Sequence, residues 1–211
     1  MKPARAIVRE MEASFFDRHP GARDAFGFFM FAILVIIGTL FINAFIFRSF
    51  SVVGPSMEST MYTGDRLIVN RLPVTWSQIQ NKSYIPSRGQ PIVFKNPRYT
   101  PGGRDEYIVK RVIAFPGERV VIKDGKVTVY NDANPQGFNP DTLPTGGTPG
   151  SPTRGDETTI VTEGTLYVMG DHREGEYSCD SRDNCLGLIP FYDVIGPVSL
   201  RIWPLNKLQL F

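Results

Sequence analysis

The chain is organised around the stretch Phe50-Ser-Val-Val-Gly-Pro-Ser-Met-Glu-Ser-Thr-Met-Tyr-Thr-Gly-Asp65. This stretch begins three residues after a long apolar run ends, and so marks the point where the chain changes character. Gly54 lets another chain come close, and Pro55 fixes φ and removes a donor just before Ser56. Ser56 is therefore expected on a stiff corner with its hydroxyl forward, although Gly-Pro-Ser is also common turn chemistry.

The apolar run before this stretch predicts a membrane span. Ala25 to Phe47 contains no charged residue, and residues 26–47 would measure about 33 Å as a helix. That length crosses a hydrocarbon core of about 30 Å. The run is too long for the apolar region of a cleaved signal peptide, and no small-x-small pair with a polar start closes it. The sequence therefore predicts an uncleaved anchor.

The charges on either side of the span predict its orientation. Five Lys or Arg residues precede it, whereas only Arg48 follows before Arg66. By the positive-inside rule, residues 1–25 form a cytoplasmic segment and residues 48–211 lie outside. We expect a single-pass protein of the plasma membrane with an extracytoplasmic domain.

Composition narrows the class of function. The 211 residues carry a net charge of +2 with scattered Lys and Arg, so the chain has no nucleic-acid footprint. A structural zinc site needs four N or S ligands, and two Cys and two His could barely supply them. We expect neither a metal nor a cofactor.

The segment after the span predicts a mainly β domain. Alternating or β-branched runs indicate strands at residues 66–72, 91–94, 107–114, 119–123, 126–130, 166–169 and 194–202. Asp124-Gly125 predicts a tight hairpin turn. Residues 131–159 contain ten Pro or Gly and predict an irregular, exposed insertion. We expect antiparallel sheets or a partial barrel after one N-terminal transmembrane helix.

A serine nucleophile needs a base, and two candidates lie outside the span. Period two places Lys110 on the same strand face as Ile108 and Val112, so burial of that face would lower its pKa and yield a free amine. The alternative is a solvated edge lysine. His172 is the other candidate base, in a polar turn. Arg111 falls on the opposite face and is expected to be structural.

A third polar cluster follows in Gly170-Asp-His-Arg-Glu-Gly-Glu-Tyr-Ser-Cys-Asp-Ser-Arg-Asp-Asn184. Asp180 and Arg182 are two residues apart and would lie on one face if extended. Ser178 could orient a lysine amine. A polar loop with a surface ion pair is the alternative interpretation.

Together these stretches resemble the ordered boxes of bacterial type I signal peptidases. The first box is Val53-Gly-Pro-Ser-Met-Glu-Ser-Thr-Met with Gly64-Asp65. The second is Tyr107-Ile-Val-Lys-Arg-Val with Phe115-Pro-Gly-Glu118, and the third is Gly170-Asp-His-Arg with Ser178-x-Asp-Ser-Arg182. The likeness covers roughly residues 30–130 and 160–200.

The resemblance implies a role for each matching residue. Ser56 matches the nucleophile and Lys110 the general base, while Ser178 matches the serine that binds the catalytic lysine. Asp180 and Arg182 match a supporting pair. The substrate pockets for small residues at −1 and −3 would be lined by Phe50, Val52, Met57, Met61, Ile108 and Val109. The implied activity is cleavage of signal peptides from exported precursors through an acyl-enzyme.

Two departures from the family pattern concern the site. Many Gram-negative members have a Ser where this chain has Gly54, so the Ser56 N–H is the expected oxyanion donor and the second donor is unassigned. The run before Ser178 is two residues longer than usual. Cys179 and Cys185 could form a disulfide that braces the loop, and two free thiols are the alternative.

The expected partners are signal peptides of exported precursors, the lipid bilayer and, nearby, the translocation machinery. A second hypothesis is a membrane-tethered β module that binds or assembles exported proteins without cleaving them. A narrower processing task within the same fold is a third.

Overall fold

The structure is a computed structural model that describes residues 19–103, 105–144, 147, 149–175, 177–182 and 186–211. The chain divides into two compact units, Met1–Phe41 and Ile42–Phe211.

The described part of the first unit is one helix, α1, Pro20–Phe41. Its apolar side chains are exposed, with Phe28 at 74% and Leu34 at 70%. A candidate membrane span runs from Gly21 to Ile46 with a mean hydropathy of 2.7, and this length and composition fit a membrane anchor. The α-helix ends at Phe41, and a π-helical turn continues it to Ile46, one residue before the predicted end of the span at Phe47, where a strand begins.

The second unit contains two antiparallel sheets. The larger sheet has the order β1-β2-β11-β3-β4-β9-β10, with β12 paired to β11. Its strands are β1 (Phe47–Ser51), β2 (Arg66–Asn70), β3 (Pro91–Lys95), β4 (Tyr107–Ala114), β9 (Thr165–Met169), β10 (Ile189–Pro190), β11 (Val194–Trp203) and β12 (Gln209–Leu210). The smaller sheet has the order β7-β6-β5-β8 and consists of β5 (Arg119–Lys123), β6 (Lys126–Asn131), β7 (Asn134–Phe138) and β8 (Glu157–Ile160).

Strand β4 lies between β3 and β9 in the larger sheet and is buried on both faces from Lys110 onward. On one side it pairs with β3, so that Lys110 lies opposite Ile92, and on the other side it pairs with β9. The hydrophobic clusters on the two faces include Ile113 and Val112, respectively. Consequently any polar side chain in this half of β4 must find its partners inside the protein.

The predicted fold class is confirmed: the domain is mainly antiparallel β and follows one apolar helix. The alternation of apolar residues predicted β4 with its observed bounds. The Asp124-Gly125 turn lies between β5 and β6, as predicted. The short helix α2, Leu72–Ile79, was not expected. The strand predicted at 66–72 is present as β2 but ends at Asn70, and the chain enters this helix at Leu72. Pro73 stands in the first turn of the helix, where a missing N–H costs nothing.

The stretch 131–159 differs from the irregular insertion that the sequence predicts. It contains β7 and most of β8, which lie at the two edges of the smaller sheet. Pro135 and Gly137 are tolerated in β7 because an edge strand need not donate on both sides. The Pro and Gly content therefore marked edge strands as well as loops.

One buried ion pair joins β11 to the loop between β1 and β2. Arg201 is 7% exposed and donates from Nη1 to Asp65 Oδ2 at 2.9 Å and to the Thr60 carbonyl at 2.8 Å. Asp65 is itself buried and also accepts the Tyr62 N–H. The loop that carries Ser56 is thus fastened to the longest strand.

We predict that Arg201→Met lowers the melting temperature of the full chain in detergent by about 6–20 °C, measured by circular dichroism. Removing one partner leaves the Asp65 carboxylate buried and unpaired, which costs about 3–5 kcal/mol. Arg66→Met, at an exposed position of β2, is the matched control and should shift the temperature by less than about 2 °C. Adding Asp65→Asn to Arg201→Met should restore part of the loss; equal shifts for Arg201→Met and Arg66→Met would contradict the prediction.

Candidate active site

Ser56 lies in the loop 52–65, called the serine loop below, whose two ends are joined by hydrogen bonds. The Val52 N–H donates to Asp65 O at 2.9 Å, and the Gly64 N–H donates to Val52 O at 3.0 Å. Gly54 has φ +92°, a left-handed conformation that suits glycine, and its N–H donates to Thr63 Oγ1 at 3.0 Å. The sequence expectation of a stiff corner before Ser56 agrees with this geometry.

Lys110 meets Ser56 at this corner. Its Nζ lies 2.6 Å from Ser56 Oγ, and the residue is only 2% exposed. Among the described residues, Lys110 is the side chain that is hydrogen-bonded to the Ser56 hydroxyl. The structure therefore brings together two residues that lie 54 positions apart in the sequence.

Burial lowers the pKa of Lys110 from its ordinary value of 10.5 to about 8, because an ammonium loses its hydration in this position. The carboxylates of Asp180 and Asp171 raise the same pKa, and the guanidinium of Arg182 lowers it. Desolvation is the largest of these effects. A substantial share of Lys110 is consequently a neutral amine just above neutral pH, which is the form that accepts a proton.

The predicted support residues surround Asp180. Arg182 donates from Nε and Nη2 to the two carboxylate oxygens at 2.9 and 2.8 Å, and the Gly170 N–H donates at 3.0 Å. Asp180 is fully buried, and these hydrogen bonds outweigh desolvation and lower its pKa. Its charge is therefore fixed beside the amine of Lys110.

Ser178 has a different partner from the one expected. Its hydroxyl donates to Asp180 Oδ2 at 2.7 Å, and within the described residues it makes no hydrogen bond to Lys110. A carboxylate is a stronger acceptor than a neutral amine, which explains the preference. Ser178 thus acts on Asp180 rather than directly on the lysine.

Gly170 allows β9 to end against the serine loop. A Cβ on Gly170 would lie 2.2 Å from Ser178 Oγ and 2.3 Å from the carbonyl oxygen of Ser56. Two residues further along the chain, the His172 N–H donates to the same Ser56 carbonyl at 3.1 Å. The absence of a side chain at Gly170 is therefore what lets the two segments touch.

His172, the alternative base, faces the backbone of the serine loop. Its Nδ1 lies 3.3 Å from Pro55 O and 3.9 Å from Glu58 Oε2, and its ring packs on Tyr177. The hydroxyl of Ser56 is instead bonded to Lys110. The arrangement favours Lys110 over His172 as the proton acceptor.

Two further ion pairs fix the segment that contains His172. Arg111 makes a bidentate pair with Asp171 at 2.7 and 2.6 Å and also binds the Gly89 carbonyl. Arg173 is fully buried and makes a bidentate pair with Asp141 at 2.9 and 2.6 Å. The structural role expected for Arg111 agrees with these contacts.

A cleft of about 300 Å³ opens beside Ser56 and Lys110. Of the predicted pocket residues, it is lined by Phe50, Val52, Ile108 and Val109. Met57 and Met61 do not line it: both are fully buried in the cluster beneath the loop with Leu67 and Val69. The loop turns between Ser56 and Met57, so that neighbouring residues point to the cleft and to the core.

Several cleft residues were missed by sequence reasoning, namely Val53, Asp105, Tyr107, Tyr177 and Cys179. Tyr107 begins the β4 box and was a nearby signal. Tyr177 belongs to the run that is two residues longer than the family pattern, and that length difference was the available signal. Nothing in the pattern around Asp105 marks it.

The backbone N–H of Ser56 has no hydrogen-bond acceptor among the described residues, and so it is free to bind an oxyanion. Gly54 has no hydroxyl, and its N–H is engaged by Thr63. A second donor is not evident in this part of the chain. Cys185 lies outside the described residues, so the disulfide with Cys179 stays a prediction. The described residues contain no cluster of three or more His, Cys, Asp or Glu suited to a metal ion.

An antiparallel β domain with a buried lysine amine against a serine hydroxyl, at the wall of an apolar cleft, defines a candidate hydrolase of the Ser/Lys kind. The family model described as "Signal peptidase, peptidase S26" matches residues 23–203. The chain therefore belongs to the signal peptidase family, peptidase S26, which confirms the resemblance seen in the sequence.

Curated relatives agree with this assignment. Signal peptidase I from Bacillus licheniformis is 29% identical over 84% of this chain and 88% of the relative. Signal peptidase IB from Staphylococcus aureus strain Mu50 is 29% identical over 85% and 87%. A protein named "Inactive signal peptidase IA" from the same strain is 29% identical over 83% and 90%. Membership of the family is therefore compatible with both active and inactive proteins, so whether this chain is active depends on the residues of its own site.

A crystal structure of a signal peptidase I from Enterococcus faecalis V583 also matches this chain. The match has a TM-score of 0.40 and 25% sequence identity, and it covers 55% of this chain and 97% of the other.

We predict that Gly170→Ala lowers the rate of precursor cleavage by about a hundredfold, because the new methyl group must displace the Ser56 carbonyl or Ser178. The measurement is the initial rate with a precursor that carries an Ala-x-Ala site. Gly150→Ala is the control, since a Cβ there meets nothing within 4 Å. Equal rates for the two variants would show that the close approach at Gly170 has no bearing on the serine.

Proposed function

We propose that this chain is a membrane-anchored serine endopeptidase that removes N-terminal signal peptides from exported precursors. The single observation that carries the proposal is the 2.6 Å contact between Lys110 Nζ and Ser56 Oγ at a buried position. Family membership supplies the substrate class, and the apolar helix supplies the anchor.

The first half of the reaction forms an acyl-enzyme. The neutral amine of Lys110 takes the hydroxyl proton of Ser56 while Oγ attacks the carbonyl carbon of the scissile bond. The Ser56 N–H binds the oxyanion of the tetrahedral intermediate. Lys110 then gives the proton to the departing amine, the C–N bond breaks, and the mature protein leaves with a free N-terminus.

The second half releases the signal peptide. Lys110, again neutral, takes a proton from a water molecule, whose oxygen attacks the acyl carbon. The ester bond to Ser56 breaks, Oγ regains a proton from Lys110, and the signal peptide leaves as a carboxylic acid that gives up its proton to solvent. Asp180 sets the basicity of the lysine through its charge, and Ser178 and Arg182 position Asp180.

The cleft accounts for the choice of substrate. Apolar walls from Phe50, Ile108 and Val109 form a shallow surface beside the serine, and small side chains at the −1 and −3 positions fit such a surface. The substrate lies as an extended segment against β4 in this proposal. The N-terminus is cytoplasmic and the cleft is extracytoplasmic, near the translocation machinery.

One observation favours the alternative of a tethered module that binds without cleaving, namely the relative named "Inactive signal peptidase IA". The Ser56–Lys110 contact argues against it for this chain, because a binding module has no need of an uncharged lysine. The two functions differ in whether a precursor is cut, which the following variants test.

We predict that Ser56→Ala and Lys110→Ala each lower the rate of cleavage of a model precursor by at least about 10³-fold, because each removes one half of the proton transfer. The controls are Ser83→Ala and Lys123→Ala, which change an exposed serine and an exposed strand lysine. Both controls should retain the wild-type rate. Full activity in either Ser56→Ala or Lys110→Ala would disprove the dyad, and a wild type that only binds precursor would establish the tethered module.

We predict that the cleavage rate rises with pH and reaches half of its maximum near pH 8, the pKa of Lys110, because the ammonium form below this pH cannot accept a proton. Asp180→Asn removes a charge that raises this pKa, so the midpoint should move to lower pH by about one unit while the maximal rate falls. Asp124→Asn, in the β5–β6 turn, removes one carboxylate elsewhere and should leave the midpoint in place. A midpoint that stays in place in Asp180→Asn would contradict the assignment of Lys110 as the proton acceptor.

A further inference from the structure

Arg48 and Arg71 lie side by side at the start of the second unit. Arg48 in β1 is opposite Val69 in β2, and the Arg71 N–H continues the ladder by donating to Ile46 O at 2.7 Å. Residues 69 and 71 share a face, so Arg48 and Arg71 are diagonal neighbours, about 7–8 Å apart between Cα atoms. Two guanidinium groups are therefore presented together.

Both guanidinium groups are held in place by neutral partners. The Arg48 guanidinium carbon lies 4.6 Å from the centre of the Tyr107 ring and 5.1 Å from that of Phe50. Arg71 Nη1 donates to the carbonyl of Ala44, and Arg71 Nε is buried without a hydrogen-bond partner. Neither contact neutralises a charge.

The absence of a carboxylate distinguishes this pair. Five other arginines, whose side chains are largely buried, each form an ion pair with a carboxylate. These pairs are Arg88–Glu118, Arg111–Asp171, Arg173–Asp141, Arg182–Asp180 and Arg201–Asp65. Within the described ranges, no carboxylate lies within 4.0 Å of Arg48 or Arg71. Desolvation and the neighbouring charge of Arg48 both lower the pKa of Arg71, whereas Tyr107 raises it. Among the described residues, the two positive charges of this pair therefore have no carboxylate partner.

The position of the pair indicates where a compensating anion would come from. Ala44 and Ile46, which accept hydrogen bonds from Arg71, are the last residues of the candidate span. Helix α2 starts at Leu72, directly after Arg71, and its Thr75 hydroxyl donates to Phe45 O. Trp76 and Ile79 of this helix are 63% and 68% exposed. Trp and aliphatic side chains next to the end of a span are typical of the membrane–water interface, where lipid phosphates lie.

We propose that Arg48 and Arg71 bind the phosphate of an anionic phospholipid in the leaflet at the C-terminal end of the span. The two guanidinium groups supply charge-assisted hydrogen bonds to the phosphate oxygens, and the exposed side chains of α2 lie among the adjacent acyl chains and headgroups. A net-negative lipid is favoured over a zwitterionic one because the site carries two positive charges that have no carboxylate partner among the described residues. The inference rests on the proposed membrane anchor, and it concerns lipid binding, which is measured without cleavage.

The test is native mass spectrometry of the full-length chain released from detergent micelles, titrated with phosphatidylglycerol or with phosphatidylcholine of the same acyl chains. Wild type should bind the first phosphatidylglycerol about tenfold more tightly than phosphatidylcholine. Arg48→Gln/Arg71→Gln should lose this preference. Arg66→Gln, an exposed arginine at the far end of β2, should keep it.

A single variant and a control with inorganic phosphate complete the experiment. Arg71 also binds the Ala44 carbonyl, so Arg48→Gln alone, which leaves that contact intact, serves if the double variant does not fold; it should lower the preference at least about threefold. Retention of the preference in a folded double variant, or its equal loss in Arg66→Gln, would overturn the proposal. Binding of inorganic phosphate as tight as that of phosphatidylglycerol would overturn the assignment to lipid. Lipid binding is read without substrate, so its failure is separate from any failure of cleavage.

Discussion

The arrangement of this domain depends on the burial of the Lys110 side chain, which removes its amine from water. At position 110 the ammonium loses its hydration, and the nearby carboxylates return only part of the lost stabilisation. The balance requires β4 to be covered on both faces, and the neighbouring clusters provide this cover. It also requires Asp180 to be ionised yet occupied by other donors, so that it tunes the amine without binding it.

Buried ion pairs give the irregular segments their order. Arg201–Asp65 holds the serine loop, Arg111–Asp171 holds the segment after β9, and Arg173–Asp141 ties that segment to the stretch after β7. Each pair links a loop to a strand or to another loop rather than two strands. A buried pair of this kind adds little net stability over an apolar contact, but leaving one partner alone is expensive. The loops are therefore held in one arrangement with respect to the lysine.

The sequence predicted what depends on local periodicity. Alternation located β4 and the β5–β6 hairpin, and it placed Lys110 and Arg111 on opposite faces, where the structure gives them different partners. Partners that depend on tertiary contacts were less accessible. Met57 and Met61 were expected in the pocket because the resemblance to the family implied it, but a turn of the loop buries them. Ser178 was expected on Lys110, whereas the stronger acceptor nearby is Asp180. Arg48 and Arg71 are adjacent only through the β1–β2 register, which no motif indicates.

Strand β1 has a mechanical consequence for a membrane-bound peptidase. Its five residues, paired without a break to β2, separate the π-helical turn at residues 42–46 from the serine loop by about 17 Å. A fully paired strand is a rigid spacer, unlike a flexible linker of the same length. The backbone therefore fixes the distance between the π-helical turn at residues 42–46 and the start of the serine loop, whatever side chains these segments carry.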